Sequence, residues 1–231
     1  MARPSLPLEP AGSRTKAGND TGGGCPTPSP SHSSINGLRR EIRAARRALS
    51  AGEQRAHSRA VAALLAHQPL FLKARRIGAY LAADGELDPA PVIAAAVAAG
   101  KRCYLPVLRP FARPALWFCE WRPGDRLVPN RFGIPEPIVT RRALRAAREL
   151  DLLLVPLVAF DVAGYRLGMG GGYYDRTLAY LPLRLHWRRP RVIGLAHALQ
   201  RVDSLPRNPW DVPVDAVVTE RTVHRVVKMR E

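Results

Sequence analysis

Asp151-Leu-Leu-Leu-Val155-Pro-Leu-Val-Ala-Phe160 runs straight into Asp161-Val-Ala-Gly164-Tyr-Arg166-Leu-Gly168-Met-Gly170-Gly171-Gly172-Tyr173-Tyr174-Asp175-Arg176. The first stretch is almost continuously Leu and Val, the composition of a central parallel strand covered on both faces by helices. The second joins that strand to a helix expected over residues 173–181. In open α/β sheets ligands bind at the carboxyl ends of strands, where this loop should lie. Four glycines in five positions let backbone N–H groups approach an anion without a Cβ in the way. The start of the following helix adds unsatisfied donors and the positive end of its dipole.

The alternation continues on either side. A first helix is expected to begin near Asn36, with Leu38, Ile42, Ala45 and Leu49 on its apolar face. Ser50 with Glu53 reads as a capping box for a second helix, which must end by Pro69. A strand is predicted over residues 77–81. Asp88 and Pro89 then supply an N-cap and first-turn pair for an Ala-rich helix stopping at Gly100. Strands follow near 103–107 and 116–121, a turn-rich loop over 122–137, a short helix near 141–148, and strands at 192–195 and 216–219. This order argues for an α/β fold, a single-domain three-layer α/β/α sandwich around a mostly parallel sheet over residues 37–231. Residues 1–36, rich in Gly, Pro, Ser and Thr, lack periodic apolar positions and are expected to form a disordered tail.

At 231 residues the chain has room for one large core, and no apolar run approaches a membrane span. No charged segment followed by an apolar one opens it, so a soluble, cytoplasmic protein is expected. Cys25, Cys103 and Cys119 are too few for a disulfide framework and form no CxxC pair, which fits a reducing compartment. The net charge of +17, from 36 Lys and Arg against 19 Asp and Glu, attracts polyanions of every kind without naming one.

The glycine loop fits neither familiar phosphate motif. A dinucleotide fingerprint starting at Gly168 needs Gly or Ala where Tyr173 stands, and no Gly-Lys-Ser or Gly-Lys-Thr is present. A glycine cluster alone also fits a tight turn. Its flanks favour the anion: Arg166 offers a fork of donors, and Asp175, about one helical turn inside, could hold Mg²⁺.

The run Arg166-Leu-Gly-x-Gly-x-Gly-Tyr-Tyr-Asp175 resembles the signature of the 5-formyltetrahydrofolate cyclo-ligase family, also called methenyltetrahydrofolate synthetase. Leu38-Arg39 with Arg43 and Arg46, Leu81 and Glu86, Gly133-Ile-Pro-Glu-Pro137, and Pro209-Trp210-Asp-Val-Pro-Val-Asp215 follow in the family's order, so the similarity spans roughly residues 36 to 220. The resemblance implies conversion of 5-formyltetrahydrofolate and ATP to 5,10-methenyltetrahydrofolate, ADP and phosphate. In that chemistry the formyl oxygen attacks the γ-phosphate, a neighbouring folate nitrogen attacks the activated carbon, and phosphate departs. It further implies an ATP site made by Arg39, Arg43, Arg166, Leu167, Gly168, Met169, Gly170, Gly171, Gly172, Tyr173 and Tyr174, with Arg166 and Tyr173 acting in catalysis. The folate would meet Leu81, Glu86, Met169, Gly170, Gly171, Gly172 and Tyr173, and Asp175 and Asp215 would hold Mg²⁺. A lysine that some members carry four residues before the first arginine is Ile35 here, and Arg43 is the substitute charge.

Two other readings compete. A basic protein could grip RNA or DNA through the loop and the arginine helix, although no nucleic-acid module is recognisable. A sugar-phosphate isomerase or CoA transferase on a similar sheet would need no ATP. On the first helix Arg39, Arg43, Arg46 and Arg47 read as a solvated stripe, with Arg39 alone given a functional role. His57, His67, His186, His197 and His224 show no ligand spacing and receive none. The expected partners are a reduced folate and ATP, with no membrane, no specific nucleic acid and a monomeric state.

Overall fold

The computed structural model describes residues 32–108, 115–130, 133–139, 144–184 and 189–226, and of residues 32–34 the backbone alone. Helices α1 (His32–Arg47), α2 (Ala51–Ala66) and α3 (Pro69–Lys73) precede strand β1 (Arg76–Gly78). Helix α4 (Ala90–Ala98) leads to β2 (Arg102–Leu108), β3 (Leu116–Glu120), the hairpin of β4 (Leu127–Pro129) with β5 (Pro135–Pro137), and β6 (Leu144–Ala146). A 3-10 turn at Ala147–Glu149 enters β7 (Leu152–Pro156), followed by the hairpin of β8 (Ala159–Phe160) with β9 (Arg166–Leu167) and helix α5 (Tyr173–Leu178). Strand β10 (Arg191–Leu195), a 3-10 turn at Ala198–Gln200, β11 (Ala216–Val218) and β12 (Val223–Arg225) complete the order.

Eight strands form one sheet in the order β12-β11-β10-β7-β1-β2-β3-β6. The five from β11 to β2 run parallel, while β12, β3 and β6 are antiparallel at the two edges. Strand β7 lies inside, paired with β1 and β10, and its four residues Leu152 to Val155 are fully buried. Successive side chains leave a strand on opposite faces. Accordingly Leu152 and Leu154 join the core under α2 and α4, and Leu153 and Val155 join the core under α5 and the Ala147–Glu149 turn. A third, smaller cluster seats Ile42 of α1 against Val158, Ala159 and Leu167 of the β8–β9 hairpin. Helix α1 is thereby held against the base of the glycine loop.

The expected α/β sandwich with a mostly parallel sheet is what folds. Ser50 caps α2 as read, its hydroxyl accepting from the Glu53 N–H at 3.2 Å while Glu53 accepts from the Ser50 N–H at 2.8 Å. Helix α4 starts one residue later than expected, with Pro89 rather than Asp88 at the N-cap, although Asp88 still accepts from the Ala90 N–H at 2.9 Å. Several expectations are corrected. Helix α1 begins at His32, and its buried face is Ile42 and Arg46 rather than Ala45, which is exposed. The stretch expected as a helix over 141–148 is, where described, strand β6 and a 3-10 turn, because Leu144 to Ala146 find an open edge on β3. The apolar run 151–160 is two strands: after Pro156 the chain leaves the sheet to form the β8–β9 hairpin. Helix α5 is shorter than expected, ending at Leu178, and the loop over 122–137 holds the β4–β5 hairpin. The tail expected over 1–36 lies outside the described residues up to residue 31. Among the described residues no helix is long and apolar enough to cross a membrane.

Candidate functional site

A cleft of about 400 Å³ opens at the carboxyl ends of β1, β2 and β7. One rim is the glycine loop with the start of α5: Arg166, Gly168, Met169, Gly171, Gly172, Tyr173, Tyr174 and Asp175. Tyr80, Leu81 and Glu86 after β1, Leu105 and Leu108 of β2, and Pro156 and Leu157 after β7 line the floor and far wall. The β4–β5 hairpin closes the remaining side through Ile134 and Glu136, whose carboxylate accepts from the Asn130 amide at 2.7 Å and the Leu108 N–H at 3.0 Å. Arg166, Asp175 and the glycines therefore gather on one side and face a largely apolar wall that also carries the carboxylates of Glu86 and Glu136, an arrangement for an anion attached or adjacent to a largely apolar group.

The loop needs its glycines at two places. Gly170 has φ +100 and Gly172 φ +61, the left-handed region that costs residues with a Cβ about 1–2 kcal/mol. Gly172 is the N-cap of α5, so the loop delivers the chain into the helix with the free N–H groups of the first turn beside the cleft. Three guanidinium groups brace it. The Arg39 Nε–H donates to the Gly168 carbonyl at 3.0 Å, tying α1 to the loop. Arg176 donates to the Gly171 carbonyl. Arg166, nearly buried, donates to the Asp175 carboxylate at 2.5 Å and to the Val212 carbonyl.

The remaining arginines of α1 do something the helix pattern alone did not show. Arg43, Arg46 and Arg47 all converge on Asp84, in the turn after β1. Arg46 is not solvated: it is 0% exposed and donates to the Asp84 carboxylate at 3.0 Å, the Asp84 carbonyl at 2.8 Å and the Leu157 carbonyl at 3.4 Å. Its buried charge is stable there because every acceptor is supplied. Burial would raise the Asp84 carboxyl, but hydrogen bonds from Arg43, Arg47 and Arg46 outweigh it and hold the group below the usual range. Arg43, expected near ATP, thus has its Nε–H on Asp84 at 2.7 Å.

Glu86 sits two residues on, with its carboxylate accepting from the Ala83 N–H at 3.2 Å and 3.8 Å from Arg46. Burial pushes its carboxyl up, against the opposing Ala83 N–H and Arg46. Two phenols line the cleft, Tyr80 on the floor and Tyr174 on the glycine-loop rim. Burial, with Glu86 nearby, drives both Tyr80 and Tyr174 above the ordinary tyrosine range, so both stay protonated. The Tyr80 hydroxyl donates to the Leu87 carbonyl at 2.5 Å, fixing the turn that presents Glu86.

Most of the residues singled out from the sequence meet here: Arg39, Leu81, Glu86, Arg166, the loop from Gly168 to Gly172, Tyr173, Tyr174 and Asp175. Asp215 does not. It stands at the amino end of β11, accepting from the Val192 N–H at 2.8 Å and pairing with Arg191 at 3.4 Å at the amino end of β10. In parallel strands that end is opposite the cleft. Mg²⁺ takes oxygen ligands, commonly one or two carboxylates together with phosphate and water. Asp175, a third exposed and lining the cleft, fits such an ion; Asp215 does not. Arg46, Asp84 and Tyr80 were missed, since each gains its role from a partner far away in the chain.

A phosphate-type loop over an apolar cleft at the carboxyl edge of a parallel sheet defines a class, the α/β proteins that bring an anion and an organic substrate together. The sequence model of the 5-formyltetrahydrofolate cyclo-ligase family matches residues 31–220, and the chain belongs to that family, whose members are enzymes of the ligase class. It is 42% identical over 184 residues to the 5-formyltetrahydrofolate cyclo-ligase of Escherichia coli K12, covering 79% of this chain and 98% of that protein. The Haemophilus influenzae cyclo-ligase is 38% identical over 179 residues, 77% of this chain and 92% of that one. Among solved structures, the 5,10-methenyltetrahydrofolate synthetase of Aquifex aeolicus superposes with TM-score 0.69 at 32% identity, covering 85% of this chain and 95% of that one.

Proposed function

We propose that this chain cyclises 5-formyltetrahydrofolate to 5,10-methenyltetrahydrofolate with cleavage of ATP to ADP and phosphate. The observation that carries the reading is the two-sided cleft, with Arg166, the glycine loop and Asp175 facing Tyr80, Leu81 and Glu86 across one cavity. Phosphoryl transfer asks for positioning and charge neutralisation more than for a protein nucleophile. The loop N–H groups from Gly168 to Gly172, with Met169, Tyr173 and Tyr174 around them, bind the triphosphate, while Leu167, expected among them, packs with Ile42 in the core beneath the loop. Arg39 holds the loop from α1, and Arg43 keeps the α1 end of the site cationic. Arg166, fixed by the Val212 carbonyl and Asp175, stabilises charge on the transferred phosphoryl group.

Leu81 and the exposed Met169 flank the folate, and Glu86 accepts hydrogen bonds from its pterin edge. Tyr173, at the mouth of the loop, positions the formyl group. The formyl oxygen attacks the γ-phosphorus as the ADP oxygen leaves. The neighbouring folate nitrogen then attacks the formyl carbon and gives up its proton, and the bond from that carbon to the phosphorylated oxygen breaks to release phosphate. Mg²⁺, when bound, offsets phosphate charge, and Asp175 is the residue to hold it. The protein works as a monomer on these two small molecules in the cytoplasm.

The test is formation of the methenyl product, followed by its near-ultraviolet absorbance, with and without Mg-ATP. One ADP per methenyl product supports the reading. Cyclisation at the same rate without ATP, or nucleotide cleavage uncoupled from folate, would refute it.

A further inference from the structure

Three side chains far apart in sequence point at one spot on the far side of the Asp84–Glu86 turn from the cleft. His57 lies on α2, His197 just past the end of β10, and Glu220 just past β11. The two Nδ1 atoms are 2.9 Å apart, and one ligand atom from each of the three residues lies within 4.8 Å of the others. Among the described residues this is the one cluster of three metal-ligating side chains. None of the three lines the cleft.

We propose that His57, His197 and Glu220 form a second metal site, selective for a divalent transition ion of the zinc class. The ligand chemistry chooses the ion: imidazole nitrogen suits Zn²⁺, Co²⁺ or Ni²⁺, whereas Mg²⁺ takes oxygen. Two further contacts pre-orient the set. The His197 ring is fully buried, and its other nitrogen, Nε2, meets the Gly85 carbonyl at 3.3 Å. That acceptor requires the proton on Nε2, which leaves the Nδ1 lone pair aimed at His57. Glu220 has one carboxylate oxygen held by the Ala198 N–H at 2.9 Å. An outer partner of this sort, fixing a ligand's tautomer or rotation, is the usual companion of a metal-bound histidine or carboxylate.

Without an ion, His57 donates its Nδ1 proton to His197. With one, the His57 proton moves to its outward Nε2 and the ion takes the place of the shared proton. Zn–N bonds of about 2.0–2.1 Å at tetrahedral angles put two nitrogens roughly 3.3 Å apart, so the rings need to open by only a few tenths of an ångström. Glu220 closes the third position, leaving a fourth for water. The ion would join α2 to the carboxyl ends of β10 and β11 and, through Gly85, brace the turn that carries Asp84 and Glu86. This inference is independent of the folate reading.

Chelator-treated full-length protein, free of nucleotide, is titrated with Co²⁺ while visible d–d absorption is followed, then with Zn²⁺. The expected result is one equivalent of Co²⁺ with the intense bands of a low-coordinate nitrogen site, displaced by Zn²⁺ and untouched by excess Mg²⁺. His57→Ala and, separately, Glu220→Gln weaken binding by at least about 100-fold, the upper end of what losing an outer partner costs. Glu220→Gln retains an acceptor for the Ala198 N–H and so keeps the fold. Both variants keep Mg-ATP-dependent cyclisation within about twofold. Absence of saturable Co²⁺ binding overturns the site, leaving a histidine pair joined by a hydrogen bond. Binding that survives both substitutions, or disappears instead with Asp175→Asn, overturns it equally.

Discussion

Arg166 presents two of its nitrogens to fixed acceptors, Asp175 and the Val212 carbonyl, so its guanidinium plane is set before any ligand arrives. Asp175 is consequently both a ligand-facing carboxylate and the anchor of the site's central cation. Asp175→Asn removes the charge from both roles and is expected to lower kcat by about 100-fold, the scale of losing one preorganised charge contact. Asp215 offers the control. With its carboxylate on the Val192 N–H and Arg191, Asp215→Ala should leave the KM for Mg-ATP unchanged and cost on the order of 1–3 kcal/mol of stability, read by urea unfolding. A loss of Mg-ATP affinity in Asp215→Ala with normal stability would return that residue to the site. Glu86 adds a pH signature. Its folded pKa is raised, so its charged form costs stability above the unfolded value of about 4.3 and nothing below it. Glu86→Gln should therefore melt higher than the parent at neutral pH, with the gap closing as pH falls toward about 4, while the KM for the folate rises. Equal melting temperatures at pH 7 would refute the burial argument.

Among the elements, α1 and the glycine loop carry the largest consequences. Helix α1 buries Arg46 where a leucine would serve a simple amphipathic helix, and its guanidinium ties the Asp84 turn to the chain leaving β7. Arg46→Met leaves those acceptors desolvated and should cost on the order of 3 kcal/mol, seen as a lower midpoint in denaturant. It should also raise the KM for the folate, since Glu86 loses its nearby cation. In the loop, Gly170 has φ +100 with nothing within 4 Å of an added Cβ. Gly170→Ala thus strains the backbone without touching the core; the loop relaxes away from φ +100, and restoring it on binding costs about 1–2 kcal/mol, a roughly tenfold rise in the KM for ATP, with the melting temperature lowered by at most a few degrees.

The two elements also mark what a sequence can and cannot disclose. The loop was legible because glycine spacing, a flanking arginine and a helix start occupy one short stretch, and β7 because four apolar residues serve two cores by simple alternation. Arg46 was not, since its acceptor Asp84 is 38 residues away and an arginine on a helix reads as solvated. Strand β6 was hidden for a related reason: an Arg- and Ala-rich segment favours helix locally, and only the open edge of β3 draws it into the sheet. Asp215 was placed by the motif resemblance alone, and a motif's spacing does not say which end of β11 a side chain occupies.

For the whole molecule, the five-strand parallel centre explains why the ligand-facing parts share one edge: β1, β2 and β7 end there, and β2 itself together with the loops after β1 and β7 contributes residues. The family match runs over residues 31–220, and the Escherichia coli relative is covered over 98% of its length by a segment making up 79% of this chain. Helix α1, which supplies Arg39 and Arg46, begins at His32, right at the start of that match. The first 30 residues precede both the family match and helix α1. A variant starting at residue 31 should keep kcat/KM for both substrates within about twofold and melt within a few degrees of the full chain. A variant starting at residue 48 lacks the cation that fills the Asp84 turn and the arginine on Gly168, and should be both inactive and strongly destabilised. Loss of activity in the shorter deletion would mean that the preceding segment takes part in the site; retention of activity in the longer one would overturn the role given to α1.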